Sequence, residues 1–342
     1  MRKPLVSIIV VNWNGADVLE NCFDSLSKIN YPNWELIFVD NGSTDNSFEI
    51  LNKYSPVSKE RLQVIKNRIN VGFAPANNQG LEVSKGEYVL LLNNDTKVTK
   101  DFLSLMIEKM ELEKQIGVMQ PKIHMMDSPE RLDNCGSFLT WTGFLYHWGF
   151  GEKDSNKFDS ERLIHTAKGA CLLVRGEVIQ KLKLFDDDFV SYFEESDFCG
   201  RVWLAGWQVV YFPKPEIYHK VGFTSKKLIA TEVNYHSLKN RILSYLKNFE
   251  LRGIITVLIP HLLVLKLLAI IYLVKFDFAK FAMVVKAIWW NIINLSKTLA
   301  KRSEIQKLRV VSDKEIFDKV MVGWKLTDMI KHFFLVEKNF QK

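Results

Sequence analysis

Residues 5–15 read LVSIIVVNWNG, a run that is apolar apart from Ser7 and ends abruptly on Asn12-Trp13-Asn14-Gly15. Unbroken β-branched runs of this kind belong to strands buried on both faces, as in the parallel sheets of α/β proteins. The run reads as a first strand and not as a signal peptide, because no small-residue cleavage site follows it. From Asp17 to Ile29 the apolar residues Val18, Leu19, Cys22, Phe23, Leu26 and Ile29 fall at helical spacing. Further along, strands are expected at Trp34–Val39, Leu62–Ile65 and Tyr88–Leu92. Helices are expected between them: one started by Ser43–Asp45 and running to Leu51, one over Ala74–Val83, and one capped by Asp101 and reaching Lys114. Strict strand–helix alternation predicts an α/β fold with a mostly parallel sheet. Residues 117–218 are less regular. They hold an aromatic and glycine stretch (Trp141–Gly151), a loop at 151–160, helices near Gly176–Lys183 and Glu194–Ala205, and a strand at Gln208–Phe212.

A length of 342 residues allows two domains, or one large α/β domain with an appendage. With 47% hydrophobic and 25% charged residues, collagen-like, low-complexity and wholly disordered chains are excluded. The four cysteines are far apart and form no C-x-x-C pair, so buried thiols in a reducing compartment are expected. The net charge of +7 is unevenly spread: residues 251–342 carry 16 Lys and Arg against 7 Asp and Glu, whereas residues 1–250 carry 30 against 32. Basic residues among long apolar runs suit an anionic membrane surface and not a duplex, so no nucleic-acid partner is expected. The chain therefore divides into residues 1–250, an α/β domain, and 251–342, a helical membrane-associating region. Ile254–Val274 is long enough to span a bilayer but is interrupted by Pro260, His261 and Lys266. Phe276–Leu295, with Lys280, Lys286, Trp289 and Trp290, reads as an interfacial helix. A surface-lying or re-entrant attachment at the cytoplasmic face of the cell membrane is expected.

Four polar segments follow expected strands: Val11-Asn12-Trp13-Asn14-Gly15, Val39-Asp40-Asn41-Gly42-Ser43-Thr44-Asp45, the stretch 70–80 (NVGFAPANNQG), and Leu92-Asn93-Asn94-Asp95-Thr96. Open α/β sheets build their ligand crevice at such strand ends. Neither G-x-G-x-x-G nor G-x-x-x-x-G-K-[ST] is present, which removes the dinucleotide fingerprint and the phosphate-cradling loop of that type. What remains are Asp and Asn side chains suited to a base, a ribose and a metal.

In this order the segments resemble the inverting family-two glycosyltransferases of GT-A fold, with the rhamnosyltransferase-like enzymes of surface polysaccharide assembly the nearest in pattern. The likeness covers residues 5–250. It implies a nucleotide-diphosphate sugar donor, a divalent metal (Mg²⁺ or Mn²⁺), and a glycan or lipid-linked acceptor. By position, Val11, Asn12 and Asn14 would line the base and ribose pocket and Asp40 would bond the base. Gly72 and Asn77 would lie beside the nucleotide. Asn93-Asn94-Asp95 stands where the family has D-x-D, so Asp95 would ligate the metal while Asn93 replaces the first carboxylate and adds no charge. His219, in Pro215-Glu216-Ile217-Tyr218-His219 after a strand, would be the second protein ligand.

The resemblance places the general base in Tyr192-Phe193-Glu194-Glu195-Ser196-Asp197, with Glu195 at the family's usual Asp position and Asp197 as the alternative. Asp197 also suits acceptor orientation or pairing with Arg201. Repulsion among the three carboxylates is expected to raise at least one pKa. Glu194 and Trp207 fall in the acceptor portion of the pattern. Gly169 and Ala170, in Thr166–Arg175, match the segment beneath the sugar, where small residues allow close approach. The aromatic stretch 141–150 is either core or a sugar-stacking wall. The missing first Asp and the Glu-for-Asp exchange leave a second reading open, a catalytically weak nucleotide-sugar-binding subunit of a membrane assembly complex.

Overall fold

The first apolar run forms β1 (Val6–Asn12), whose residues are buried except the half-buried Val11. The alternation expected from the sequence follows: α1 (Ala16–Ser27), β2 (Trp34–Asp40), α2 (Ser47–Tyr54), β3 (Leu62–Lys66), α3 (Phe73–Glu82), β4 (Tyr88–Leu92), β5 (Thr96–Val98) and α4 (Phe102–Leu112). The computed structural model describes residues 3–223 and 228–323. The end of the expected tail, 324–342, lies outside the described residues.

The middle of the chain supplies β6 (Ile116–Met125), β7 (Ser128–Asn134), β8 (Ser137–Thr140), β9 (Leu145–His147), β10 (Arg162–Leu163), β11 (Cys171–Arg175), α5 (Gly176–Leu182), α6 (Glu194–Leu204) and β12 (Gln208–His219). β12 is longer than the expected strand at 208–212. A register shift between Tyr211 and Glu216 lets it continue along β6. The main sheet has the order β10-β12-β6-β11-β4-β1-β2-β3, with β5 on β12 and β7 on β6. Strands β4, β1, β2 and β3 run parallel, and β11 is antiparallel to β4 and β6. One face buries Ile8, Val10, Phe38 and Leu90 with Phe23 and Leu26 of α1 and Phe102 and Met106 of α4. All four cysteines are buried free thiols, as expected.

The C-terminal segment is helical: α7 (Ala230–Asn248), then α8 (Leu251–Gly253), a π-helical turn (Ile254–Leu258) and α9 (Ile259–Val274) in continuous succession. α10 (Phe278–Ile293), α11 (Leu295–Lys307), α12 (Asp313–Val320) and a short β13 (Met321–Val322) complete it. β13 pairs with β8 in a second small sheet that also holds β9. Two compact units result, and their boundary is not at residue 250. The main sheet and its flanking helices form one unit, with residues 3–137, 147–190 and 207–221. Residues 138–146, 191–206, 222–223 and 228–323 form the other. The physical reason is packing. α6 and α7 bury their faces with the C-terminal helices: Asn291 of α10 donates to the Lys239 carbonyl of α7, and Gln306 of α11 to the carbonyls of Lys247 and Asn248.

Candidate active site

In the sheet unit, the polar segments meet at one edge of the parallel strands. Asn12 and Asp40 are register partners at the ends of β1 and β2. Asn12 is fully buried. Its Nδ2 donates to Ser43 Oγ at 3.1 Å, and its Oδ1 accepts from Asn94 Nδ2 at 2.7 Å. A Cβ on Gly15 would stand 2.2 Å from both of those side-chain atoms, so this turn requires glycine. Asn14, at φ 49°, accepts the Thr44 amide at 2.8 Å. Asp40 Oδ2 accepts the Ser43 amide at 3.3 Å. These bonds knit the first, second and fourth segments into one polar floor, with Val11 half-buried beside it.

Two expected nucleotide contacts are instead spent on packing. Asn77 is buried on α3 and donates to the Phe73 carbonyl at 2.9 Å within its own helix. Gly72, at φ 99°, lies against the Val190 carbonyl, where a Cβ would come within 2.4 Å. Gly169 and Ala170 do reach this sheet edge: the Ala170 carbonyl accepts the Asn93 amide at 3.0 Å. Trp207 does not. It precedes the first residue of β12, whereas His219 is the last, and twelve strand residues separate the two ends by roughly 35–40 Å. Trp207 lies under Lys181, whose Nζ is 4.9 Å from a ring centroid, so its role is packing at the far edge of the sheet.

Asp95 and His219 come together because β5 pairs antiparallel with the end of β12, with Thr96 opposite His219. His219 Nε2 is 3.3 Å from Asp95 Oδ1, an oxygen that is buried and has no hydrogen-bond partner. The other ring nitrogen, Nδ1, is 2.8 Å from Asp133 Oδ2. Asp133, on β7, is wholly buried and also accepts from Lys168 Nζ at 2.5 and 2.7 Å. Burial opposes charge on His219, but Asp95 and Asp133 outweigh it and lift the imidazole to about 9. Burial likewise opposes charge on Asp133, yet Lys168 and then His219 hold it well below the usual carboxylate range.

This donor set fits a divalent cation. An unsatisfied buried carboxylate oxygen faces an imidazole nitrogen, and a second carboxylate orients that imidazole from behind, as in histidine–metal sites generally. Among the described residues no cluster of three His, Cys, Asp or Glu side chains surrounds the position. Two protein ligands suit a hard cation that takes the rest of its shell from phosphates and water. Sequence reasoning missed Asp133. The available signal was Asp133-Asn134-Cys135-Gly136, which repeats, one residue longer, the Asp-Asn-Gly ending of β2.

In the helical unit, α6 begins with Glu194 and Glu195 after two consecutive non-glycine residues in the left-handed region, Tyr192 (φ 70°) and Phe193 (φ 73°). Such a turn is strained, and Asn240 of α7 holds it by donating to the Ser191 and Tyr192 carbonyls at 3.0 and 2.7 Å. Glu194 is buried with Oε2 unpartnered, and its pKa is raised well above the ordinary value by burial and then by the charge of Glu195. That is the raised carboxylate expected from the cluster. Glu195 is only half-buried. Asp197 is fully engaged: Arg201 Nε at 3.0 Å, Lys247 Nζ at 3.2 Å and Asn248 Nδ2 at 3.1 Å occupy its oxygens. The expected pairing with Arg201 is present, and both oxygens of Asp197 are taken up by these contacts.

The Glycosyl transferase family 2 profile matches residues 7–182, more than half of the chain. TuaG of Bacillus subtilis, a glycosyltransferase named for teichuronic acid biosynthesis, is 40% identical over 108 residues, 32% of this chain and 42% of its own. A Mycobacterium tuberculosis glycosyltransferase of PGL/p-HBAD biosynthesis is 37% identical over 95 residues, 28% of this chain and 37% of its own. The chain thus spans less than half the length of these relatives. Among solved structures, the mannosyltransferase PcManGT of Pyrobaculum calidifontis, in complex with GDP-Man and Mn²⁺, superposes with a TM-score of 0.54. It is 14% identical and the match covers 90% of this chain and 84% of that one. S. aureus TarS 1–349 in complex with UDP gives 0.51 at 19% identity, covering 71% and 66%. The profile match over more than half of the chain and the likeness to these solved structures agree: the chain belongs to glycosyl transferase family 2 and has the GT-A fold.

Proposed function

We propose that the protein is a metal-dependent inverting glycosyltransferase. It moves a sugar from a nucleotide-diphosphate donor to a hydroxyl of a glycan or lipid-linked acceptor in surface polysaccharide synthesis. The observation that carries this reading is the Asp95–His219 pair at the strand ends, braced by Asp133 and adjoining the Asn12–Asp40–Asn94 floor. In this reading Asn12, Asn14 and Asp40 hold the base and ribose, with Val11 against them. Asn93, Asn94 and the small pair Gly169 and Ala170 border the sugar. Asp95 and His219 hold Mg²⁺ or Mn²⁺, which when bound stabilises negative charge on the departing diphosphate.

Glu195 takes the proton of the acceptor hydroxyl as that oxygen attacks C1 from the face opposite the diphosphate. The half-exposure of Glu195 and the engagement of Asp197 by Arg201 and Lys247 support this assignment over Asp197. Glu194, whose protonated form is favoured by burial and then by the charge of Glu195, lies on the acceptor side in this reading.

Membrane attachment, at the cytoplasmic face in this reading, draws its support from the helix Leu251–Val274, long and apolar enough to cross a bilayer, which favours a membrane and not a particular face. Ile255, Ile259, Leu263 and Leu267 recur every fourth residue along one exposed stripe. Lys266 is exposed beside Leu267, which favours a helix lying in the interface, where the ammonium reaches water, over one that spans.

A screen of UDP-, dTDP- and GDP-sugars with isolated membranes, with and without EDTA, tests the proposal. Transfer from one donor that EDTA removes and Mn²⁺ or Mg²⁺ restores is expected. Donor binding without turnover under any condition would favour a binding subunit instead.

A further inference from the structure

The helical unit contains a buried cation that the reading above leaves unused. Arg241 on α7 is only 9% exposed. Its guanidinium lies 4.7 Å from the ring centroid of Phe144 and 4.8 Å from that of Phe193, the residue before Glu194. The ring faces attract the cation and fix its plane, but they offer no acceptor to its N–H edge. Its Nε is buried without a hydrogen-bond partner. Among the described residues no carboxylate pairs with it, and the neighbour that favours its charge is the phenol of Tyr245.

Several other enclosed cations among the described residues meet acceptors. Arg201 and Lys247 share Asp197, Lys122 has Asp154 and Asp159, the half-buried Arg309 has Asp313, and Arg175 donates to Tyr88 Oη and to the Ile116 and Met110 carbonyls. Nor does His261 supply a counter-charge. Its ring packs 4.9 Å from that of Phe144, and burial, followed by the charge of Arg241, holds it down to about 3. Its Nδ1 donates to the Thr142 carbonyl at 2.8 Å, which leaves Nε2 as a buried acceptor without a donor. A buried charge without a partner costs stability, and a bound anion would remove that cost.

We infer that Arg241, clamped by Phe144 and Phe193, is an anion-binding residue whose ligand is a phosphoryl or diphosphoryl group. A planar guanidinium matches two phosphate oxygens at once, and Nε of Arg241 has no acceptor among the described residues. The choice of phosphate over carboxylate rests on the function proposed above, in which the donor carries a diphosphate and a lipid-linked acceptor carries a phosphate ester. The apolar helix Leu251–Val274 belongs to the same unit as Arg241.

The test uses the full chain in EDTA, so that binding does not run through Asp95 and His219. Calorimetric titrations employ inorganic pyrophosphate, UDP, and phosphatidylcholine vesicles with or without a polyprenyl phosphate. Arg241→Met is expected to weaken pyrophosphate binding at least tenfold, with Arg241→Lys between it and wild type. Without ligand, Arg241→Met is expected to melt at or above the wild-type temperature, because it removes an unanswered charge. Pyrophosphate should raise the wild-type melting temperature and leave that of Arg241→Met unmoved. Parallel loss of UDP binding assigns the site to the donor, and loss confined to polyprenyl phosphate vesicles assigns it to the acceptor.

The inference is overturned if wild type binds none of the probes. It is equally overturned if Arg241→Met binds them as wild type does while melting lower, which marks a purely structural stack. Normal sugar transfer by Arg241→Met with unchanged binding rejects the site and keeps the function. Loss of pyrophosphate binding in a chain that turns over no nucleotide sugar keeps the site and rejects the function.

Discussion

The Nδ1 of His219 lies 2.8 Å from Oδ2 of Asp133, a residue 86 positions earlier in the chain, and this contact turns Nε2 of the same ring toward Asp95. The pair joins the end of β12 to β7, two strands that flank β6. A carboxylate behind a ligating imidazole fixes its tautomer and orientation, and removing one from such a position typically costs about 10–100-fold in metal affinity.

Asp133→Asn is therefore expected to weaken Mn²⁺ binding by about that factor, read by electron paramagnetic resonance in the presence of UDP. Lys168→Met serves as the control. It removes the other partner of Asp133 but leaves the His219 contact, so its effect on Mn²⁺ should be smaller. Equal affinities in wild type and Asp133→Asn would show that His219 is not positioned by this contact.

The acidic start of α6 separates two roles. Glu195→Gln should fold normally and lose ~10²–10⁴ in kcat, the usual worth of a general base. Asp197→Asn should instead cost about 3–5 kcal/mol of stability in urea unfolding, because Arg201 and Lys247 lose their shared carboxylate in the interior. A stable Asp197→Asn without activity, beside an active Glu195→Gln, would exchange the assignments.

Glu194 gives a pH signature of its own. Its pKa in the folded chain is raised, by burial and then by Glu195, above the value of 4.5 that an exposed glutamate has. The native state therefore keeps a proton that the unfolded chain releases near that value. This contribution is fully present below the unfolded pKa and is lost as pH rises through the raised native one. Glu194→Gln is neutral at every pH and nearly isosteric. Its urea midpoint is expected to fall less steeply than that of wild type as pH rises above 4.5 toward the raised native pKa, and parallel curves would place the raised titration elsewhere.

On the apolar stripe, Ile259 and Leu263 are 46% and 62% exposed, an arrangement that water disfavours and a bilayer interface accepts. Replacing both by glutamate should abolish sedimentation with anionic vesicles, since each loses on the order of 1.5–3 kcal/mol of apolar burial and gains a repelled charge. Wild-type binding should weaken with added salt, through the basic residues of the C-terminal segment. Undiminished sedimentation of the double variant would move the contact to another surface.

The α/β alternation, the buried first strand, the polar strand ends and the pairing of Asp197 with Arg201 were all legible in the sequence. Each depends on neighbours a few positions apart: apolar periodicity, turn chemistry, or side chains one helical turn from each other. Asp95 and His219 were named as partners through family resemblance, not through any local pattern. Trp207 was misread because the strand after it runs to His219, twelve residues on, and carries the site to its far end.

What the sequence determined alone was which segments become strands and which of them end in polar turns. The tertiary structure decided which carboxylate backs His219, that Asn77 is consumed by packing, and that Arg241 is enclosed by two rings with no acid paired to it among the described residues. Those relations are set by strand register and helix packing between residues up to about a hundred positions apart, and no local rule of spacing encodes a contact that only the closed sheet or the packed helices create.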